Sequence, residues 1–151
     1  MITANPFKME DIARLREAPF NLSFKKQAKS GALETILEKH PWTGWTLTDD
    51  REIVYIGILF KHPKIKKAGI VLGASSYASR RHVRELFTFC RYYYKKMCDD
   101  MKVKEVHAYV EPEFENGRSW ARHFGLKFVG YVQKGFNDGK GDTFLLYRWK
   151  K

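Results

Sequence analysis

Three polar side chains recur at every second position in the stretch EVHAYVE: His107, Tyr109 and Glu111. Successive side chains of an extended strand point to opposite faces, so these three share one face and Val106, Ala108 and Val110 the other. An imidazole, a phenol and a carboxylate on one face can take and give protons. Glu111, at the strand's end beside a short helix, is the first candidate for a general base, His107 the second, and Tyr109 completes the set. A strand histidine is also commonly a hydrogen-bonded structural residue, and that plainer role stands beside the catalytic one.

A second concentration of chemistry lies at the start of the longest expected helix, which runs from near Ser79 to about Asp100. Val83, Leu86, Phe87, Cys90, Tyr94, Met97 and Met101 form its buried stripe. Arg80, Arg81, His82 and Arg84 crowd its first turns. Cations there oppose the helix macrodipole, at about 0.3–1 kcal/mol each. Their presence makes sense if an anion binds and guanidinium contacts add to the free amides. Ser79 is the expected N-cap, with Ser75 and Ser76 upstream as further donors. The plainer reading is a solvated basic face on a basic protein.

The third is FENGRSWARHFGLKFVGY, residues 114–131, which reads as a loop, a very short helix and a strand. Asn116, Ser119, Trp120, Arg122 and His123 give that helix nearly all its polar variety, and Gly125 is expected in the left-handed position that ends it. Trp42, Trp45, Tyr92 and Tyr93 are candidates for base stacking but more commonly pack. The lysine-rich loop 61–67 suits a phosphate or an acidic partner, or simply solvent. No Walker loop, HExxH, GxSxG or dinucleotide fingerprint is present.

The elements that must position these residues follow from periodicity. A short strand over 1–5 precedes a helix through Met9, Ile12, Ala13 and Leu15 that Pro19 stops. A second helix covers 24–39, and a hairpin joins 44–48 to 52–60 through Asp49-Asp50-Arg51. Strands over 67–74 and 104–110 flank the long helix, and a final hairpin joins 126–134 to 143–149. A long helix between two apolar strands is a βαβ crossover within an otherwise antiparallel sheet.

The chain of 151 residues fits a single domain, 1–151. No apolar run is long enough to span a membrane, and the N-terminus lacks the apolar block of a signal peptide, so a cytoplasmic location is expected. The charge of +11, from 28 Lys+Arg and 17 Asp+Glu, attracts polyanions, including nucleic acid, a nucleotide cofactor or an acidic partner. Cys90 and Cys98 lie two turns apart on one helix, separated by roughly 12 Å, too far for a disulfide. No Cys/His cluster has zinc-like spacing, so no metal site is expected.

The element order, ending in strand, short helix, Gly125-Leu126-Lys127-Phe128 and a hairpin, resembles the GNAT superfamily of acyl-CoA-dependent N-acyltransferases. Asn116 opens the short helix, Gly130 falls at the second glycine of a GFxxxG-like pattern, and FNDGKGDTFLLYRW resembles the family's closing hairpin. The chain looks most like small divergent GNAT-like proteins of bacteriophages. The resemblance implies an α/β (α+β) fold with a mixed, mostly antiparallel sheet, a βαβ crossover and flanking helices. It also implies acetyl-CoA, or another acyl-CoA, as cofactor.

Residue by residue, the resemblance makes Val71 and Leu72 the strand whose amide polarises the acyl carbonyl. It makes the segment Ser79, Arg80, Arg81, His82, Val83 and Arg84 the cofactor's phosphate cradle, and Asn116, Ser119 and Trp120 the helix flanking its arm. Two departures stand out. Arg81 and Val83 fill the places where the family's cradle has glycines, and Ala121 fills that of its usual proton-donating tyrosine. The leading expectation is an N-acetyltransferase with a small-molecule or protein amine acceptor. Two alternatives stand beside it. One is a non-catalytic GNAT fold, virion-associated or binding a host protein in the host cytoplasm; the other is a nucleic-acid-binding or nucleobase-modifying protein that reuses the basic helix.

Overall fold

The β-favouring run from Ile53 to Phe60 is the spine of the molecule, buried residue after residue. The computed structural model describes residues 1–15, 31–50, 52–110, 115–134 and 142–150. In chain order the elements are β1 (Ile2–Pro6), α1 (Glu10–Arg14), α2 (Ala32–Lys39), β2 (Trp42–Asp49), β3 (Glu52–Lys61) and β4 (Ala68–Ser75). After a 3-10 turn (Tyr77–His82) come α3 (Val83–Met101), β5 (Glu105–Val110), α4 (Glu115–His123), β6 (Lys127–Lys134) and β7 (Asp142–Lys150). The strands form one seven-stranded sheet in the order β1-β2-β3-β4-β5-β7-β6. Every neighbouring pair is antiparallel except β4 and β5, which the α3 crossover joins in parallel.

The expected order of elements stands, with shifted ends. The first helix stops at Arg14, where Leu15 is already extended, well ahead of Pro19, which lies outside the described residues. So do the front of the second helix and the turn of the closing hairpin. Asp11 fixes α1 by accepting hydrogen bonds from the Lys8 amide at 2.9 Å and from Thr46 Oγ1 of β2 at 2.8 Å. Gly125 has φ +80°, the left-handed conformation expected at the end of α4, and the Leu126 amide donates back to the Ala121 carbonyl. Among the described residues no helix is long and apolar enough to cross a membrane.

Helices cover both faces of the sheet. Ile12 of α1 and Leu33 and Leu37 of α2 pack with Ile56, Ile58 and Ala74 on one face. On the other, Met97 of α3 and Ala121 of α4 pack with Leu59, Val106, Ala108, Val110 and Tyr147. Cys90 is buried in a third cluster, with Leu86, Leu47 and Val54.

A bulge in β3 sets the start of the crossover. Leu47 pairs with Tyr55 and Thr48 with Ile53, leaving Val54 as the extra residue. Its carbonyl accepts the Ser76 amide, tying the segment ahead of α3 to β3. Beyond the bulge Tyr55 lies over Gly73 of β4, where a Cβ would come within 2.3 Å of the phenol oxygen. Gly73→Ala is therefore expected to destabilise the fold by about 1–3 kcal/mol. Gly130→Ala, whose Cβ meets nothing within 4 Å, should stay within about 0.5 kcal/mol of the parent. Urea denaturation of both variants checks the contrast, and equal midpoints would contradict it.

Candidate active site

β4 and β5 pair only at Ala68–Glu105, Gly69–Val106 and Ile70–His107. Past that point β4 runs on to Ser75 along β3, β5 runs on to Val110 along β7, and no described strand joins them. Of the β4 arm, Leu72 and Ala74 face the α1–α2 core, while Val71 faces the other core with Ala108, Val110, Ala121 and Leu126. The ladder thus ends in a fork, and among the described residues no strand pairs that edge of β4 from Val71 to Ala74, where the backbone can bind an extended ligand. Val71 and Leu72, the pair that the resemblance singled out, sit just beyond its apex, their half-buried side chains packed against opposite cores.

His107 occupies the apex and is 5% exposed. Its Nε2 lies 3.2 Å from Glu105 Oε1, but the contact is not aligned as a hydrogen bond, and neither ring nitrogen has a hydrogen-bond partner. The edge of the His62 ring covers it, with centroids 5.2 Å apart. His62 is itself fixed, since its Nδ1 accepts the amides of Lys64 and Ile65. The lysine-rich loop is thus an ordered turn held by an imidazole. Tyr109 is half-buried, its ring 6.5 Å from that of His107. Glu111, the first-choice base, lies outside the described residues.

On the helix face of the fork lie two hydroxyls that sequence reasoning overlooked. Tyr55 of β3 and Tyr94 of α3 hydrogen-bond to each other through their phenol oxygens. Both rest on a floor made by the paired glycines Gly57 and Gly73. Burial, reinforced by the nearby Cys90, pushes both phenols above the usual tyrosine range; Tyr94 adds to the rise at Tyr55, whereas the hydrogen bond from Tyr55 partly offsets it at Tyr94, and each keeps its proton at neutral pH. Such groups are donors. Tyr94 reads as a stripe position and Tyr55 as a strand former; the signal that could have found them is an isolated glycine inside each of two adjacent strands, a mark of close approach.

Trp120 of α4 closes this face. Its ring stacks on Tyr55 with centroids 5.6 Å apart, and it meets Phe87 at 4.6 Å and Phe124 at 5.4 Å. Ser119 is exposed, and Asn116 lies inside the helix's first turn rather than ahead of it, because α4 begins at Glu115. Ala121, at the place of the family's tyrosine, is a buried core residue.

The start of α3 differs from expectation in its partners. The helix is preceded by the 3-10 turn, its N-cap position is His82, and no side chain caps it. Ser79 instead donates its hydroxyl to the Ser76 carbonyl at 2.7 Å, so it serves the turn and not the helix. Arg81 pairs with Glu52 at 3.0 Å, and His82 Nε2 donates to Asp49 at 2.7 Å. Carboxylates of the β2–β3 hairpin thus take two of the cations that seemed set aside for a ligand. The N-terminal ammonium, 3.2 Å away, and then His82 hold the Asp49 carboxyl below its ordinary value. Arg80, Val83 and Arg84 are exposed. Trp45 and Tyr93 pack together with rings 4.4 Å apart, which bears out the packing role. Among the described residues no cluster of His, Cys, Asp and Glu is placed to hold a metal ion.

No family model and no curated protein matches the chain in sequence. Solved structures do match its fold. Aminoglycoside acetyltransferase AAC(6')-Ib bound to coenzyme A superposes with a TM-score of 0.72 at 10% identity, over 100% of this chain and 95% of its own. A structure described as a probable acetyltransferase from Staphylococcus epidermidis gives 0.71 at 12% identity, over 100% and 99%. A spermidine N-acetyltransferase from Vibrio cholerae, in an N152L variant, gives 0.63 at 9% identity, over 99% and 93%. The fold is that of the GNAT acetyltransferases, in agreement with the sequence resemblance.

Glu105 anchors the charge at the apex. Burial alone would raise its carboxyl, but the contact with His107 and then Lys150 and Arg148, 3.7 and 3.6 Å away, outweighs burial and holds it below the usual range. A depressed folded-state value stabilises the fold fully above the unfolded carboxyl's pKa of about 4.3 and is lost as pH falls through the folded value. The stability difference between the parent and Glu105→Gln should therefore be constant near neutrality and shrink in acid. A difference unchanged across the carboxylate range in urea titrations would contradict this.

Proposed function

We propose that the chain is an acyl-CoA-dependent N-acyltransferase whose acyl-bearing arm lies along the open edge of β4 within the fork. One observation carries the reading: the parallel ladder stops after Ile70–His107 while both strands continue, and no described strand pairs that side of β4 beyond it. An extended thioester arm has the shape to pair with such an edge. When bound, the cofactor supplies an acyl group already activated as a thioester.

The chain's own residues then have distinct tasks. The unpaired β4 backbone beyond Ile70 aligns the arm and offers a donor to the acyl oxygen. His107, at the apex with its ring nitrogens free of hydrogen bonds, takes a proton from the incoming amine. Tyr94 Oη, kept protonated by burial and supported by Tyr55, holds a proton on the helix face, the task that Ala121 cannot perform. The structural neighbours are named for aminoglycoside and spermidine acetylation, but a chain of charge +11 repels such polycations. The acceptor it fits is an amine on a neutral or acidic molecule. A cytoplasmic, phage-encoded protein acting on a host target is consistent with this.

A second reading has its own observation. Trp120 stacked on Tyr55 fills the helix face of the fork, and Arg81 and His82 are engaged by Glu52 and Asp49. These features suit a GNAT scaffold that has given up catalysis and binds a partner protein.

Calorimetric titration with acetyl-CoA separates the two. Saturable binding is expected by about 1 mM, the upper end of ordinary KM values, and silence there favours the scaffold. With an amine acceptor in hand, His107→Gln is expected to lower kcat about 100- to 10,000-fold, and Tyr94→Phe at least about tenfold, with the circular dichroism spectrum of each unchanged. Full turnover by either variant would remove that residue from the chemistry.

A further inference from the structure

Helix α4 presents two different sides. Trp120, His123 and Phe124 face α3, while Arg118 and Arg122, one turn apart, face the last strand of the sheet. Between that second side and β6 lies an open cavity of about 640 Å³, walled by the two arginines with Lys127, Phe128, Tyr131 and Tyr147. None of these residues takes part in the fork. Three of the lining side chains are cationic, and no carboxylate lines the cavity among the described residues. Arg118 Nε is buried without a hydrogen-bond partner, a donor whose desolvation nothing among the described residues offsets.

The rest of the wall is aromatic and open. Phe128 is 51% and Tyr131 71% exposed. Their rings meet edge to face with centroids 5.7 Å apart, and Phe128 lies 5.7 Å from Tyr147. Much of both rings is nonetheless left in solvent beside guanidinium groups that meet no carboxylate among the described residues. A flat ring on a phosphate is the ligand chemistry that uses both. The volume falls within the range of ordinary ligand sites, about 300–1,000 Å³.

We propose that this cavity is a binding site for single-stranded nucleic acid. Arg118, Arg122 and Lys127 take backbone phosphates, Arg118 finding there the partner it lacks, and Tyr131 and Phe128 take the exposed face of a base. The flanking strand then lies on a surface of net charge +11. A duplex is excluded by the same geometry, since its bases are stacked on each other and offer no free face to Tyr131.

The test is fluorescence anisotropy of the full chain with fluorescein-labelled dT12, with the corresponding dA–dT duplex, and with thymidine monophosphate as competitor. The expected order is dT12 tightest, with the duplex and the mononucleotide weaker. Tyr131→Ala should weaken dT12 roughly 5- to 100-fold while Tyr131→Phe stays near the parent. The Arg122→Ala/Lys127→Ala double variant should weaken binding and flatten the salt dependence by about one unit per lost phosphate contact. Arg91→Ala/Lys95→Ala, which removes the same charge from α3, should cause less than about a threefold loss. Any of four results would overturn the proposal: no binding of dT12, equal affinity for the duplex, a mononucleotide that competes as well as the strand, or equal losses in the two double variants.

Discussion

The constraint on which this molecule turns is the early end of the parallel ladder between β4 and β5. Beyond Ile70 and His107 both strands continue, β4 along β3 and β5 along β7, without pairing with each other. Among the described residues, backbone groups on one side of β4 thus have no strand partner in the middle of the sheet, where a continuous ladder would have satisfied them. Interior strand edges of this kind need another partner, be it water, a side chain or a ligand. Everything proposed for the fork rests on that local deficit, and not on any one catalytic side chain.

The surroundings of the deficit are arranged by close packing. The bulge at Val54 aims Tyr55 across Gly57 and Gly73, and the missing Cβ atoms let two phenols lie nearly on the backbone. Their burial keeps them protonated, while His107 on the opposite face has no hydrogen bond at either ring nitrogen and lies with Nε2 beside Glu105. Proton donors and a proton acceptor thus stand on opposite faces of one gap, an arrangement suited to acyl transfer. Trp120 lies over the donor side, so binding of an arm there must displace an aromatic ring or pass beneath it.

Much of this architecture was legible in the residues. The β-favouring run of β3, the stripe of α3 apart from Val83, Gly125 and the crossover follow from residue preference, periodicity and turn chemistry, and the structure reproduces them; Val83, at the first position of the helix, is exposed. The polar face of β5 was legible too, and two of its three members, His107 and Tyr109, stand where alternation places them. The partners of Arg81 and His82 were not, because Glu52 and Asp49 lie some thirty positions upstream and reach them only through the sheet. The same distance hid the Tyr55–Tyr94 pair. Long-range partners set the meaning of a charged cluster, and local pattern does not carry them.

The central claim concerns the amides of one strand edge, and amide hydrogen exchange resolved by residue measures those directly. In the free protein, the amides of Val71–Ser75 that point away from β3 should exchange much faster than those of Ala68–Ile70 that face β5. On addition of acetyl-CoA the first set should become protected while the second is unchanged. Slow exchange at that edge in the free protein, or protection that appears elsewhere and leaves β4 untouched, would contradict the claim.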